Sequence, residues 1–300
     1  MELSWKISSK YDGWLVRDYL VDVRAFSDRL LKSVKRDGQM LVNGQNVTVR
    51  KTLATGDDLT IIFGKEKRGK GLKKVKMPLN IVYEDQHYMI LHKPRGLAIM
   101  NDGDRPTLVD GLLYYFDEHE IPFTVHVITR IDRYTSGLVL IAKHRYAHHL
   151  LQPEQIKREY VGLVEGMMND NKGTINLPIA RSDESIIKRI VNENGKRAVT
   201  HFEVIHQNRD YSLVRFKLET GRTHQIRVHV SHIGHPLVGD DLYGAKNTNF
   251  IGQALHCEKL TFIHPFINEK MTFIAYLPKE LQSMFDQVNP VIRDMAFKSV

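Results

Sequence analysis

The chain has 300 residues, 42% hydrophobic and 26% charged, an ordinary composition for a globular protein that can bury a sizeable core. A single cysteine, Cys257, excludes an internal disulfide and a cysteine metal cluster, and no apolar run approaches the ~20 residues needed to span a bilayer. The net charge of +8 is uneven: residues 1–76 carry 17 Lys/Arg against 9 Asp/Glu, while the rest carry 26 of each sign, which points to an anionic polymer partner such as nucleic acid.

The first elements form a compact unit over 1–64. Leu15, Val16, Tyr19 and Leu20 have helical spacing. Ser27 is placed to cap a second helix over 28–37, which Gly38 ends. This helix presents Arg29, Lys32, Lys35 and Arg36 near one face. Met40–Val42, the Asn43-Gly44 turn and the following extended run read as a hairpin, and Gly56-Asp57-Asp58 leads into a last strand over 59–63. Residues 65–77, with Lys65–Lys76 reading KEKRGKGLKKVK, are expected to be a flexible basic linker.

Residues 78–300 read as a second, larger unit. Strands are expected over 80–91, 137–143, 159–164, 200–206, 212–218 and 272–276, and helices over 107–119, 144–152, 223–233 and within 279–300. Strands outnumber helices and the connections are irregular. The expected class is α+β, with a mixed, largely antiparallel sheet. With no apolar signal core at the N-terminus, a soluble cytoplasmic protein is expected, monomeric by default.

Chemistry concentrates at Arg130–Lys143, RIDRYTSGLVLIAK. Leu138–Ala142 is an apolar run of the kind buried on both faces of a sheet, and Asp132 stands in the turn before it. Arg130 and Arg133 flank this carboxylate, and nearby cations favour its ionised form. These residues alone leave two readings open, a catalytic carboxylate or a structural Asx turn or ion pair. In the helix expected at 223–233, Ile226, Val230 and Ile233 should face the core, with His224 and Arg227 together on another flank. His229, His232 and His235 are three apart, but no Cys or Glu completes a metal set and Gly234 ends the helix before the third.

Five ordered segments resemble the RluA-type RNA pseudouridine synthases. RIDRYTSGL (130–138) is similar to the family's Arg-Leu-Asp-x-x-Thr-Ser-Gly-Leu motif, with Ile131 for Leu. NIVYEDQHYMILHKPRGL (80–97) resembles the opening strand pair and its Lys-Pro-x-Gly. IKREYVGLVEG (156–166) resembles the segment holding the family tyrosine. TGRTHQIRVHVSHIGHPLVGDDLYG (220–244) resembles the Gly-Arg-x-His-Gln-Ile-Arg-x-His block with its Gly-His-Pro and Gly-Asp-x-x-Tyr-Gly. LHCEKLTFIHPF (255–266) resembles the closing stretch. The basic helix, Leu-Val-Asn-Gly and Thr-Gly-Asp-Asp-Leu-Thr-Ile of the first 64 residues resemble an S4-like RNA-binding domain.

The resemblance implies the pseudouridine synthase fold and isomerisation of uridine in structured RNA, with no cofactor and no metal. It implies Asp132 as catalytic carboxylate, Arg227 as its partner and Tyr160 against the flipped uracil. Arg130, Arg133, Arg222, His224 and Gln225 are expected at the RNA, together with Lys32, Lys35 and Arg36 of the S4-like part. Ribosomal RNA, of the large subunit, is the expected substrate, with transfer RNA second. Two other classes stand against this reading. A catalytically silent RNA-binding or ribosome-assembly factor would leave every pseudouridine in place when deleted. A glycoside hydrolase would need a matched second carboxylate, and none stands out.

Overall fold

The computed structural model describes residues 1–69, 72–247 and 249–288. Residues 1–64 fold around a four-stranded antiparallel sheet of β1 (Glu2–Lys6), β2 (Gln39–Val42), β3 (Gln45–Asn46) and β4 (Asp58–Ile62), in the order β1-β4-β2-β3. Asn43 and Gly44 both have positive φ, 51° and 77°, as a tight hairpin between β2 and β3 requires. Two helical segments cover the sheet. One is α1 (Val16–Asp18), continued by a π turn over Tyr19–Val23; the other is α2 (Asp28–Asp37). The Ser27 hydroxyl accepts the Leu30 N–H at 3.2 Å, satisfying a donor that the first turn of α2 leaves free. Strand β1 was not anticipated, because only Leu3 and Trp5 carry its apolar signal.

This unit has its own core, including Val16, Leu20, Leu31, Leu59 and Ile61, and Tyr146 enters that core from the larger body. The Tyr146 ring lies 4.6 Å from Phe26 and stacks over Phe63, and its hydroxyl donates to the Arg24 carbonyl at 2.6 Å. The segment expected to be a flexible linker makes defined contacts. Arg68 donates to the carbonyls of Phe123 and Ile121 and pairs with Asp117, which Lys74 also joins. Glu66 accepts the Arg145 N–H at 2.8 Å and meets His126 at 2.7 Å. Glu66, Arg68 and Lys74 thus have partners on the body, which composition alone does not show.

The larger body is built on a ten-stranded mixed sheet. Its path runs β10 (Lys172–Asn176), β13 (Val199–Gln207), β14 (Tyr211–Leu218), β9 (Lys157–Glu165), β15 (Leu255–His264), β8 (Ser136–Ala142), β6 (Tyr88–Lys93) and β5 (Ile81–Glu84). The short β7 (His126–Val127) adds to β8, and β16 (Glu269–Ile274) adds to β15. Among the described residues only β8 and β15 pair in parallel, at Ser136↔His256 and Gly137↔Cys257. A separate two-stranded hairpin, β11 (Ile179–Arg181) with β12 (Arg189–Val191), projects after β10.

Helices cover both faces of the sheet. On one face lie α3 (Leu108–Glu118), started by a reciprocal Thr107–Asp110 capping box, and α5 (Gln225–His232). They bury Leu112, Phe116, Ile226 and Val230 in the main core beside Tyr160 and Val164. On the other face, α6 (Lys279–Val288) sets Leu281 and Phe285 against Val161, Leu163 and Leu213. Strand β9 is therefore covered on both faces, which explains its unbroken apolar run. The end of the expected helix at 279–300, beyond Val288, lies outside the described residues. Ile233 departs from expectation: α5 stops at His232, and Ile233 is 37% exposed instead of facing the core. The remaining helix, α4 (Arg145–Leu150), carries Tyr146 into the seam.

Candidate active site

Four central strands align one row of residues. Gly137 of β8 pairs with Cys257 of β15, Cys257 pairs with Tyr160 of β9, and Tyr160 pairs with Phe216 of β14. Only glycine fits at 137: its φ is +110°, and an added Cβ would stand 2.2 Å from the Cys257 carbonyl oxygen. This close approach sets the turn before β8 beside Tyr160. The turn is pinned at three successive carbonyls. Asp132 O accepts the Thr135 N–H at 3.1 Å, Arg133 O accepts Lys93 Nζ at 3.0 Å, and Tyr134 O accepts Arg95 Nη1 at 2.8 Å.

Lys93 is fully buried and also donates to the Pro94 and Leu97 carbonyls, both at 2.8 Å. Burial pulls its pKa down to about 7, against the opposing pull of the Asp132 charge. Arg95 closes the far side through the carbonyls of Gln253 and Ile251, with its guanidinium over the Phe250 ring. The Asp132 side chain thus projects from a backbone whose polar groups are already matched.

The first turn of α5 delivers the partner of Asp132. Arg227 Nη1 donates to Asp132 Oδ2 at 3.0 Å, while its Nε and Nη2 grip both oxygens of Asp240 at 2.7 and 2.8 Å. Asp240 is buried and Arg227 nearly so, whereas the Asp132 side chain keeps 27% of its surface open. Burial works against the Arg227 charge, but the two carboxylates outweigh it and hold the guanidinium above its ordinary range. Buried Asp240 orients the arginine, and the arginine presents its remaining edge to the accessible carboxylate. Asp132 Oδ1 accepts no hydrogen bond among the described residues.

His224, the N-cap of α5 at φ 58°, places Nε2 3.8 Å from Asp132 Oδ2 and meets the Tyr243 hydroxyl through Nδ1 at 2.9 Å. Burial lowers its pKa, against the Asp132 charge, and so favours the neutral ring. Tyr243 also accepts the Arg189 N–H and lies under the Arg227 guanidinium.

Asp132, Tyr160, Arg227, Arg130, Arg222 and His224 line one recess of about 360 Å³. It joins a wider cleft of about 1500 Å³ that shares Arg130, Asp132, Arg222, His224 and Arg227. Tyr160 is buried beside Cys257, and burial first, with the Cys257 thiol contributing, holds its phenol well above the usual range. The recess therefore offers one carboxylate, one neutral aromatic wall and surrounding cations.

The other anticipated residues divide into two groups. Arg130 is exposed at the mouth and makes no hydrogen bond among the described residues, and exposed Arg222 donates to the Arg197 carbonyl at 3.0 Å. Arg133 lines the wider cleft but donates to Gly96 O and pairs with Asp102, so it holds the loop. Gln225 differs from expectation: it is buried, and its amide joins Val199 O, Thr200, Thr220 and the Arg222 N–H, leaving nothing for RNA. Lys32, Lys35 and Arg36 lie exposed on α2, with Arg36 clamped on Asp37, and none lines either cavity. His229 commits its two nitrogens to Thr200 and the Leu177 carbonyl. Asp240, Tyr243 and Lys93 were quoted within motifs without a role. Their signal was a charged or polar residue inside an otherwise apolar or glycine-rich run.

Comparison with known proteins gives the family. Residues 87–232 match the family model described as RNA pseudouridylate synthase. The chain is 41% identical over 281 residues to "Uncharacterized RNA pseudouridine synthase YjbO" of Bacillus subtilis (strain 168), covering 91% of this chain and 99% of that one. It is 33% identical over 282 residues to "Ribosomal large subunit pseudouridine synthase D" of Yersinia pestis, covering 87% and 86%. Among solved structures, "Human RNA Pseudouridylate Synthase Domain Containing 1" shares the fold with a TM-score of 0.58 at 24% identity, over 78% of this chain and all of that one. A pinned carboxylate opposite a buried tyrosine, on a sheet of this order and with relatives matched nearly end to end, makes the chain a member of the RNA pseudouridine synthase family, an isomerase that converts uridine in RNA to pseudouridine.

Proposed function

We propose that this isomerase acts on large-subunit ribosomal RNA and that Asp132 is its catalytic carboxylate. The observation that carries the second part is the Asp240–Arg227–Asp132 chain: a buried acid orients a guanidinium, which holds one oxygen of an accessible acid and leaves the other open. The reaction breaks the bond from the ribose anomeric carbon to ring nitrogen 1. The freed uracil turns, joins through carbon 5 and loses the proton there, while nitrogen 1 gains one. Atoms balance without any redox partner. The uridine leaves its stack to enter the recess, as enzymes acting on a base require.

In this reading the Asp132 charge faces the ribose as positive character develops at its anomeric carbon. Tyr160 stacks on the uracil and keeps the detached ring in place, an interaction worth about 1–3 kcal/mol. Its burial supports a protonated phenol, which favours the stacking wall over a phenolate base. Arg130 and Arg222, exposed at the mouth, meet phosphates. Residues 1–64, with Lys32, Lys35 and Arg36 exposed on α2, serve as an S4-like RNA-binding arm joined by 65–77 to a catalytic unit over 78–300.

The ribosomal assignment draws on the name of the Yersinia pestis relative. It carries with it a cytoplasmic monomer; no described helix is long and apolar enough to cross a membrane. Mapping pseudouridines in ribosomal and transfer RNA from cells with and without the protein tests the substrate. Loss of one or more large-subunit sites is expected. Loss confined to transfer RNA would overturn the ribosomal assignment, and no loss anywhere would favour the silent factor.

A further inference from the structure

A second cavity, of about 900 Å³, lies beyond the active-site cleft between the β11–β12 hairpin and the loop before α5. Its lining includes Arg181, Arg189, Lys196 and Arg222 and not one carboxylate. Gly221, Arg222 and Thr223 line both this groove and the wide cleft at Asp132, so they form the rim between the two. All three are exposed. Arg181 and Lys196 are exposed too and make no side-chain hydrogen bond or ion pair among the described residues, whereas Arg189 braces the hairpin through the carbonyls of Ile187 and Lys188. A concave run of four cations, two of them free and none facing a carboxylate in the lining, is poised for a polyanion.

A second observation points the same way. Under the rim lies Arg158, only 6% exposed, and its Nε has no hydrogen-bond partner. No carboxylate pairs with it among the described residues. A buried guanidinium without an anion is costly for the free protein unless something supplies one. Gly221 packs against its outer edge with nothing but hydrogen, since a Cβ there would stand 2.5 Å from Arg158 Nη1. Arg158 also shares a strand face with Tyr160, two residues on, so one end of this path is the uracil site itself.

We propose that the ribose-phosphate backbone next to the extruded uridine crosses the Gly221–Thr223 rim, sets a phosphate against Arg158 and Arg222, and continues in the groove between Arg181 and Lys196. This rests on the isomerase reading and adds the direction in which the target strand leaves the site. Ile187, 60% exposed on the hairpin loop, lines the active-site side, where it offers an apolar surface to a neighbouring base.

Two variants of the full chain test it on an unmodified transcript of large-subunit ribosomal RNA and on a single-stranded uridine-rich oligonucleotide. In Arg181→Gln with Lys196→Gln, two phosphate contacts are lost, so the slope of log affinity against log salt should shrink by about 1.4. KM should rise roughly ten-fold or more, since each charge-assisted bond is worth that order, and kcat should stay within two-fold. A control, Lys270→Gln with Lys279→Gln, removes two exposed cations outside these cavities and should leave KM in place. In Arg158→Met, KM should rise while the melting temperature of the free protein holds or increases, because an uncompensated buried charge is gone. A structural arginine would give the reverse, a lower melting temperature with KM unmoved, and that result overturns the role of Arg158. An unchanged salt slope and KM in the exposed pair overturn the strand path, including the case in which the groove serves an acidic protein segment, and that pair decides should the methionine variant fail to fold. Either failure leaves wild-type pseudouridine formation intact, so it is distinguishable from failure of the isomerase reading.

Discussion

Arg227 joins two acids that differ in burial, and under the proposed function that asymmetry separates support from chemistry. Asp240 is sealed and fixes two guanidinium nitrogens; Asp132 is open and receives the third. Lysine has a single ammonium and cannot serve both sides of this fork. Arg227→Lys should therefore fold but lower kcat by roughly 100-fold, the scale expected when a reacting group is displaced by about 1 Å. A single-turnover assay with the melting temperature measured alongside checks this, and near-normal kcat would deny the orienting role. Asp240→Ala removes one member of a buried pair and should cost about 3–5 kcal/mol of stability, read from urea unfolding. The motifs around Asp132, Tyr160 and Arg227 are local, so the sequence singled out three residues that the fold brings to one recess. The link from Arg227 to Asp240 was not legible, since Asp240 stands in a Gly-Asp-Asp turn whose spacing gives no partner, and only packing sets it against the guanidinium. Gln225 was misread for the same reason: its polar character looked available until β13 and the 220–222 loop enclosed it.

At the level of elements, the crossing of β8 and β15 sets the geometry of the site. The parallel contact at Gly137↔Cys257 depends on a backbone that L side chains rarely adopt and on space that a Cβ would fill. Gly137→Ala should destabilise the protein by several kcal/mol, combining strain of about 1–3 kcal/mol with a backbone clash. It should also remove activity through the displaced Asp132 turn; calorimetry together with the pseudouridine assay would show whether the two losses coincide. Long elements with clear periodicity, such as α2, α3, β8 and β9, were readable in advance. Strands β1, β10, β11 and β12 were not, because they are short or mostly polar and obtain their pairing from neighbours. Strand β15 was hidden by Cys257-Glu258-Lys259, where the pairing register shifts against β9 and breaks the alternation.

Across the whole molecule, the two units meet at a seam of aromatic and histidine side chains. Phe63, Phe123 and Phe266 surround His144, whose Nε2 lies 3.0 Å from His87 Nδ1. Burial depresses His87 to about 4, against the Asp85 charge, and His144 to about 3, with the neighbouring His87 adding to the shift. Both are neutral in the folded protein and take up protons near pH 6.5 once unfolded. Their contribution is thus complete above about pH 6.5 and is lost as pH falls toward 4, at about 1.4 kcal/mol per pH unit for each ring. Melting curves from pH 7 to pH 4 should show a steep fall in melting temperature that His87→Phe makes shallower; equal slopes would place the acid sensitivity elsewhere. The pinned turn and the α5 arginine together hold one carboxylate at an open recess. The direct test is single-turnover pseudouridine formation by Asp132→Asn on RNA that wild type modifies. The variant should bind that RNA and melt like wild type yet form no pseudouridine above background, whereas a rate within ten-fold of wild type would contradict the assignment.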